Sequence, residues 1–483
     1  MGKKNKRSKQ KTYSGIQQHK LKGKTLIPQF ADYPNLRLTS WIDDRLPELL
    51  WACLLVSCGN RETALATFRE VINYVAKKAP EASGKITHTG LSQLDEQIQK
   101  DILSIITSRK ENKEILQPLI LYESLPAKHQ WEQFLPSQAN IDIQLLIRGV
   151  ARSLGHQSQE ATDCRWLYVM TFLMTSKLRI HDKEELEGLF YYPNFGDLHK
   201  IRPSIRAFEG ALSLGQAQKT DWPEKFWKEC LVNTPCYPLP SVHPQSHPNA
   251  GTSISRVNEV YAALQHHMSG TIETTNIDPK HDTTFGIVLY SLAILQELLR
   301  VGNCTSILAR TGLRTILESF VTLSYLLAKN NESLWRTHRA HGAGQAKLAF
   351  IKLDELDKNP SYVDKDTLQE LANEDMWQEF LPVNLGHWDK TDLRKMSIDA
   401  GVKDEYDKFY SWTSSFCHAH WGSVRDAVLQ TCGNPLHRLH RISRAHPRML
   451  PDVIPDACYL IDKMLELVSN AYPKFDHRVI VNS

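Results

Sequence analysis

From about residue 40 onward, apolar residues recur at helical spacing, and alternation of the kind a strand needs is hard to find. The run "RETALATFREVINYVAKKAP" repeats them one face at a time and stops at Pro80. "RLPELLWACLLVSC" opens with Pro47 near a first turn, where a missing N–H costs nothing. "LSQLDEQIQKDILSIITS", "IDIQLLIRGVARSL" and "ATDCRWLYVMTFLMTSKLRI" follow the same rhythm. A chain patterned this way buries helix against helix, so the expected fold class is all-α. With 483 residues it is long enough for two helical domains with cores of their own.

The clearest interruption is "LVNTPCYPLPSVHPQSHPNAGT", residues 231–252, which holds five prolines. Each pushes its preceding residue out of helical geometry, so a domain boundary is expected here. The expected order is a basic disordered tail over 1–30 and an N-terminal helical domain over 31–230. A proline-rich linker with a lead-in helix covers 231–282, and a C-terminal helical bundle covers 283–475. In that bundle "FGIVLYSLAILQELLRVGN" and "SILARTGLRTILESFVTLSYLLAKN" are joined through Gly302 and Asn303, which suit a helix C-cap and a tight turn. Further helices are expected at about 331–358, 364–373, 403–431 and 455–471. Cys230, Cys236, His243 and His247 give a C-x5-C-x6-H-x3-H series near the break. Neither spacing is that of a zinc finger, and incidental thiols in a linker are the simpler reading. No metal and no cofactor is expected.

Charge is unevenly placed. Residues 1–24 carry nine lysines and arginines, among them Lys3, Lys4, Lys6, Arg7, Lys9 and Lys11, and no acid. The whole chain is only +4, so the remainder is mildly acidic. A tail of this kind cannot bury a core but can hold phosphate backbones by counterion release, so two readings stay open: a solubilising disordered start, or a contact with RNA or another nucleic acid as partner. The start has no apolar stretch behind its basic residues, so it does not read as a secretory signal, and Lys6 stands where a myristoylation motif takes Ser or Thr. No apolar run reaches the roughly 18 residues of a membrane helix. Nine scattered cysteines without a CxxC fit reduced thiols, so a cytoplasmic location without membrane contact is expected. There is no GxxxxGK[ST], GxGxxG after a strand, HExxH or GxSxG, which disfavours P-loop, Rossmann, zincin and α/β-hydrolase chemistry.

Two segments carry the candidate chemistry. In "ILARTGLRTILESFVTLSYLL", Arg310, Arg314 and Glu318 fall at i, i+4 and i+8 on one stripe bordered by Leu313, Ile316 and Leu317. In "FYSWTSSFCHAHWGSVRD", read as part of one helix, Ser414, His418 and Arg425 face roughly one way, with His420 on another face. Two readings stay open. Either the stripe is a cationic floor for a phosphate, with His418 as acid or base, or both are structural: an Arg–Glu ladder and a core histidine satisfied by Ser414.

The pairing of "ARTGLRTILESFVTLSYLL" with "FYSWTSSFCHAHWGS" resembles a bacterial all-α domain family of unassigned function, over about residues 283–430. The resemblance is to HEPN-like bundles, many of them metal-independent ribonucleases of toxin–antitoxin and phage-defence systems. It implies an RNA-directed effector, an endoribonuclease using Arg-x4–6-His, a homodimer and a partner protein of a defence operon. "RTHRAH" supplies that spacing at Arg336 and His341, whereas His418 has no arginine five to seven residues before it. The alternative is a non-catalytic helical interaction or sensor module.

Overall fold

The structure is a computed structural model that describes residues 20–22, 25–27, 40–135, 141–192, 194, 198–215, 221–240, 252–302, 304–356, 360–374, 381–383 and 386–480. It is predominantly all-α, as the periodicity requires. The six tail cations named above lie outside the described residues, as do His243 and His247. Within 1–30, Lys20–Lys22 (β1) and Thr25–Ile27 (β2) pair antiparallel. The chain divides into two compact units. The division falls at Pro238, inside the proline-rich break. The first unit, however, also takes in residues 431–441, which the sequence assigned to the C-terminal bundle.

In the first unit, α1 (Leu50–Cys58) is buried on nearly every side and packs on α3 (Ile143–Ser153) and α4 (Gln159–Met174). The amphipathic α2 (Arg61–Lys78) lies against α4, as does α5 (Leu198–Gly215). Asn60 caps α2 by accepting from the Glu62 and Thr63 amides, and Pro80 keeps the helix from continuing. Trp51, Phe68, Trp131 and Trp222 fill the core, with α6 (Trp222–Asn233) supplying the last of these. Leu436, from the 431–441 excursion, is buried in the same core.

In the second unit, α7 (Ile254–Gly270), α8 (Pro279–Val301), α9 (Ile307–Lys329), α10 (Glu332–Asp354), α12 (Lys403–Cys417) and α14 (Ile454–Ala471) form a bundle. The short α11 (Leu393–Asp399) packs on α9, which is the central rod and also touches α8, α12 and α14. Asp278 caps α8 and Gly302 ends it at φ +63°; Ser306 caps α9 and Asn330 ends it at φ +42°. α8 is the one described helix long and apolar enough to cross a membrane, which the sequence reading did not anticipate. Its stripe Phe285, Val288, Leu292, Leu295 is buried in the bundle core.

The helix expected over 403–431 is two. It stops at Cys417, turns through Ala419 at φ +49°, and restarts as α13 (Trp421–Val428). Ser423 Oγ lies 2.7 Å from the Ser415 carbonyl and 2.8 Å from that of His420, sharing its one proton between acceptors on either side of the break and tying them together. Neither glycine nor proline marks the spot, so periodicity ran straight through it.

Candidate functional site

The arginine stripe on α9 is built into the protein. Arg310 is 7% exposed and Arg314 6%. Nη2 of Arg310 donates to the Pro451 carbonyl, and Nη1 lies 3.4 Å from the Ser306 carbonyl and 3.5 Å from that of Cys304. Burial pulls the Arg310 pKa down, opposed by Asp426 and Asp452. Those carbonyls belong to the turn before α9 and the segment before α14, so Arg310 fastens the two loops. Arg314 Nη2 meets Glu318 Oε1 at 2.6 Å, and its guanidinium lies 3.7 Å from the Tyr410 ring centroid. Tyr410 stacks in turn on Tyr406, centroids 4.3 Å apart. Arg314 Nη1 is buried without a hydrogen-bond partner. Arg314 and Glu318 therefore meet as the i, i+4 spacing required, while the phosphate-facing side of the stripe is occupied by protein.

The α12–α13 corner is different. His418 is the C-cap just past α12, and its backbone N–H donates to the Ser414 carbonyl at 3.2 Å. The Ser414 hydroxyl does not satisfy the His418 ring, which stands exposed. Because the chain turns at Ala419, His420 swings beside His418, with ring centroids 5.8 Å apart and planes at 31°. The expectation that His420 occupies another face assumed an unbroken helix, and the turn corrects it. Trp412 and Trp421 flank the corner at 53% and 63% exposure. A Cβ added at Gly422 would stand 3.2 Å from the Trp412 ring, so this glycine lets the indole lie on α13. Arg425 is exposed one turn beyond Trp421. Among the described residues no hydrogen bond or ion pair joins His418 to Arg310 or Arg314.

The Arg-x4-His pair on α10 does not converge either. Arg336 is held by Glu332 on its own helix at 2.7 Å and lines a shallow hollow of about 460 Å³ with Ser333 and Thr337. His341 Nε2 lies 3.1 Å from the Gly386 carbonyl and 3.4 Å from Gln345 Nε2. Five residues along a helix is about 140° of rotation, so the two side chains leave different faces.

One cluster of metal-ligating type was missed in the sequence. In the first unit Cys236, Cys432, His437 and His440 bring one donor atom each to within 4.8 Å of one another. Cys236 belongs to the series weighed above, but its partners do not. Cys230 is buried with its Sγ 3.1 Å from the Tyr122 hydroxyl. The signal was "CGNPLHRLH", a C-x4-H-x2-H run to which the sequence reading gave no role.

Residues 295–434 match a family of unknown function, DUF5677. That span is less than half the chain and covers α9 through α13. It agrees with an all-helical family of unassigned function. Neither the curated proteins nor the solved structures contain a match to this chain.

Proposed function

We propose that the chain is an RNA-directed effector that engages RNA at the α12–α13 corner. The observation that carries this reading is the solvent-facing His418–His420 pair, with exposed Trp412 and Trp421 on the two helices that meet at the corner. Exposed aromatic rings stack unpaired bases without needing a particular sequence. Two neighbouring imidazoles can divide acid and base work near neutral pH. In the finer reading the protein is a metal-independent ribonuclease, HEPN-like, of a bacterial antiviral defence or toxin-like system. One imidazole takes the 2′-OH proton as that oxygen attacks the phosphorus. The other returns a proton to the departing 5′-oxygen, leaving a 2′,3′-cyclic phosphate. Arg425 is the cation available to the phosphate, and the basic tail adds sequence-independent attraction. Arg310 and Arg314 hold the loops and α12 that support the corner.

A second reading is favoured by the sealed arginines: a non-catalytic interaction or sensor module whose stripe is structural. One comparison separates the two. Wild type, His418→Ala, His420→Ala and Arg314→Ala are expressed side by side, with total RNA integrity, host growth and melting temperature measured. The effector reading expects either histidine variant to keep its melting temperature and spare the RNA. Intact RNA with wild type, together with no retention on an RNA column, overturns it. Retention lost in Trp412→Ala and Trp421→Ala, without any cleavage by wild type, leaves RNA binding and removes the nuclease.

A further inference from the structure

We propose that Cys236, Cys432, His437 and His440 form a structural zinc site in the first unit. The cluster has the size the ion needs. Tetrahedral zinc with the usual Zn–S and Zn–N lengths sets sulfur and nitrogen about 3.6 Å apart. Cys236 Sγ lies 3.5 Å from His437 Nδ1 and 3.4 Å from His440 Nε2, and Cys432 Sγ lies 3.4 Å from His437 Nδ1. Three sulfur–nitrogen edges thus agree with one tetrahedron. Two thiolates and two imidazoles are a donor set that selects zinc. Four protein ligands leave no open position, so the role is structural.

The surroundings orient the ligands. Asn434 Nδ2 donates to Thr234 Oγ1 and to the Pro235 carbonyl, both at 2.8 Å, and Thr234 Oγ1 donates to the Cys230 carbonyl at 2.8 Å. His437 Nε2 sits 3.0 Å from the same Thr234 oxygen, whose one proton is already given to Cys230. Nε2 therefore carries the imidazole proton and donates, which turns the Nδ1 lone pair toward the two sulfurs. A ring fixed by such an outer hydrogen bond is the usual state of a metal-ligating histidine. Cys432 Sγ accepts from the backbone amides of Tyr237 and Asn434, each at 3.4 Å, which fixes the position of the sulfur.

The backbone is shaped around the same point. Cys432 N donates to the His440 carbonyl at 2.8 Å, and Gly433 N to the Tyr237 carbonyl at 2.7 Å, so the residues beside the ligands are tied together. Pro435–His437 forms a 3-10 turn, after which Arg438 and Leu439 take φ of +49° and +61°. Two successive left-handed residues without a glycine are unfavourable, and they turn His440 back beside His437. Binding is not a redox step: the ion takes one lone pair from each ligand and releases two thiol protons to solvent. It would join segments 201 residues apart in sequence, Cys236 with His437.

The test uses the full chain, purified without a metal-binding tag, with zinc measured by mass spectrometry. One zinc per chain is expected, falling to near zero in Cys236→Ser and His440→Asn, while Cys417→Ser keeps it. Cys236 is exposed, so its serine variant leaves the core intact even where Cys432→Ser fails to fold. Stripping the ion should lower the melting temperature, zinc should restore it, and cobalt(II) should give the intense visible bands of a tetrahedral thiolate site. Full zinc content in Cys236→Ser would overturn the proposal. So would a stripped chain whose melting temperature ignores zinc and whose cobalt spectrum is octahedral, or a Cys236–Cys432 disulfide in non-reducing peptide mapping.

Discussion

Replacing Arg314 tests whether the stripe on α9 is architecture. Three contributions are lost in Arg314→Ala. The guanidinium over Tyr410 is largely desolvated, so its cation–π contact contributes about 1–2 kcal/mol. The Glu318 partner is half exposed, so that ion pair adds only ~0.5 kcal/mol. The buried methylenes of the stem contribute about 1–2 kcal/mol. Against these, removing the unpartnered Nη1 relieves about 1 kcal/mol of desolvation. The net is a loss of roughly 2–3 kcal/mol, since the terms partly offset one another. For a unit of this size that lowers the melting temperature by about 4–10 °C. Arg314→Met keeps an apolar stem and drops the orphan donor, so it should cost no more than about 1 kcal/mol. A double-mutant cycle with Tyr410→Leu isolates the ring contact, and its coupling should be about 1 kcal/mol. Calorimetry and urea unfolding read all of these. An Arg314→Ala protein as stable as wild type but unable to act on RNA would refute the structural assignment and restore the phosphate-floor reading.

Three other outcomes follow from specific groups. His88 is fully buried between Trp131 and Trp222 with neither ring nitrogen partnered, and burial pulls its pKa to about 3. The unfolded chain, with its ordinary pKa near 6.5, takes up the proton first on acidification. Stability from this group is therefore complete above about pH 6.5 and falls by about 1.4 kcal/mol per unit toward pH 3. His88→Phe should flatten that slope in urea midpoints compared at pH 7 and pH 5, and an unchanged slope would refute it. Asp163 is wholly buried, bound by Arg61 at 2.7 and 2.9 Å and by the Tyr192 hydroxyl, so Asp163→Ala should cost about 3–5 kcal/mol; a melting temperature near wild type would count against it. Deleting residues 1–24 should weaken RNA retention at low salt and flatten its salt dependence, and identical elution in a salt gradient would remove the tail from RNA binding.

What could be read from the residues was whatever local spacing decides. Gly302 after α8 and the i, i+4 pairing of Arg314 with Glu318 each depend on a few consecutive positions, and each stands where the sequence put it. The turn at Ala419 could not be read this way. Alanine favours helix, and the break is held by Ser423 reaching carbonyls eight and three residues back. That single turn brings His420 beside His418. The assignment of 431–441 to the first unit was equally hidden, because it depends on Leu436 finding a core whose other residues lie before residue 231.

The cysteine–histidine cluster shows the same division between local and distant information. Cys432, His437 and His440 are close in sequence, and their spacing alone could have marked three ligands; the fourth required the fold. The DUF5677 match ends at residue 434, between Cys432 and His437. Three of the four proposed zinc ligands, Cys236, His437 and His440, thus lie outside the matched span, whereas His418, His420, Trp412 and Trp421 all lie within it. The histidine corner belongs to the second unit and the cluster to the first, and they share no residue. Loss of zinc in Cys236→Ser and loss of RNA cleavage in His418→Ala are therefore separate events. A chain that binds zinc and spares RNA would discard the nuclease and keep the metal, and the converse result would do the reverse.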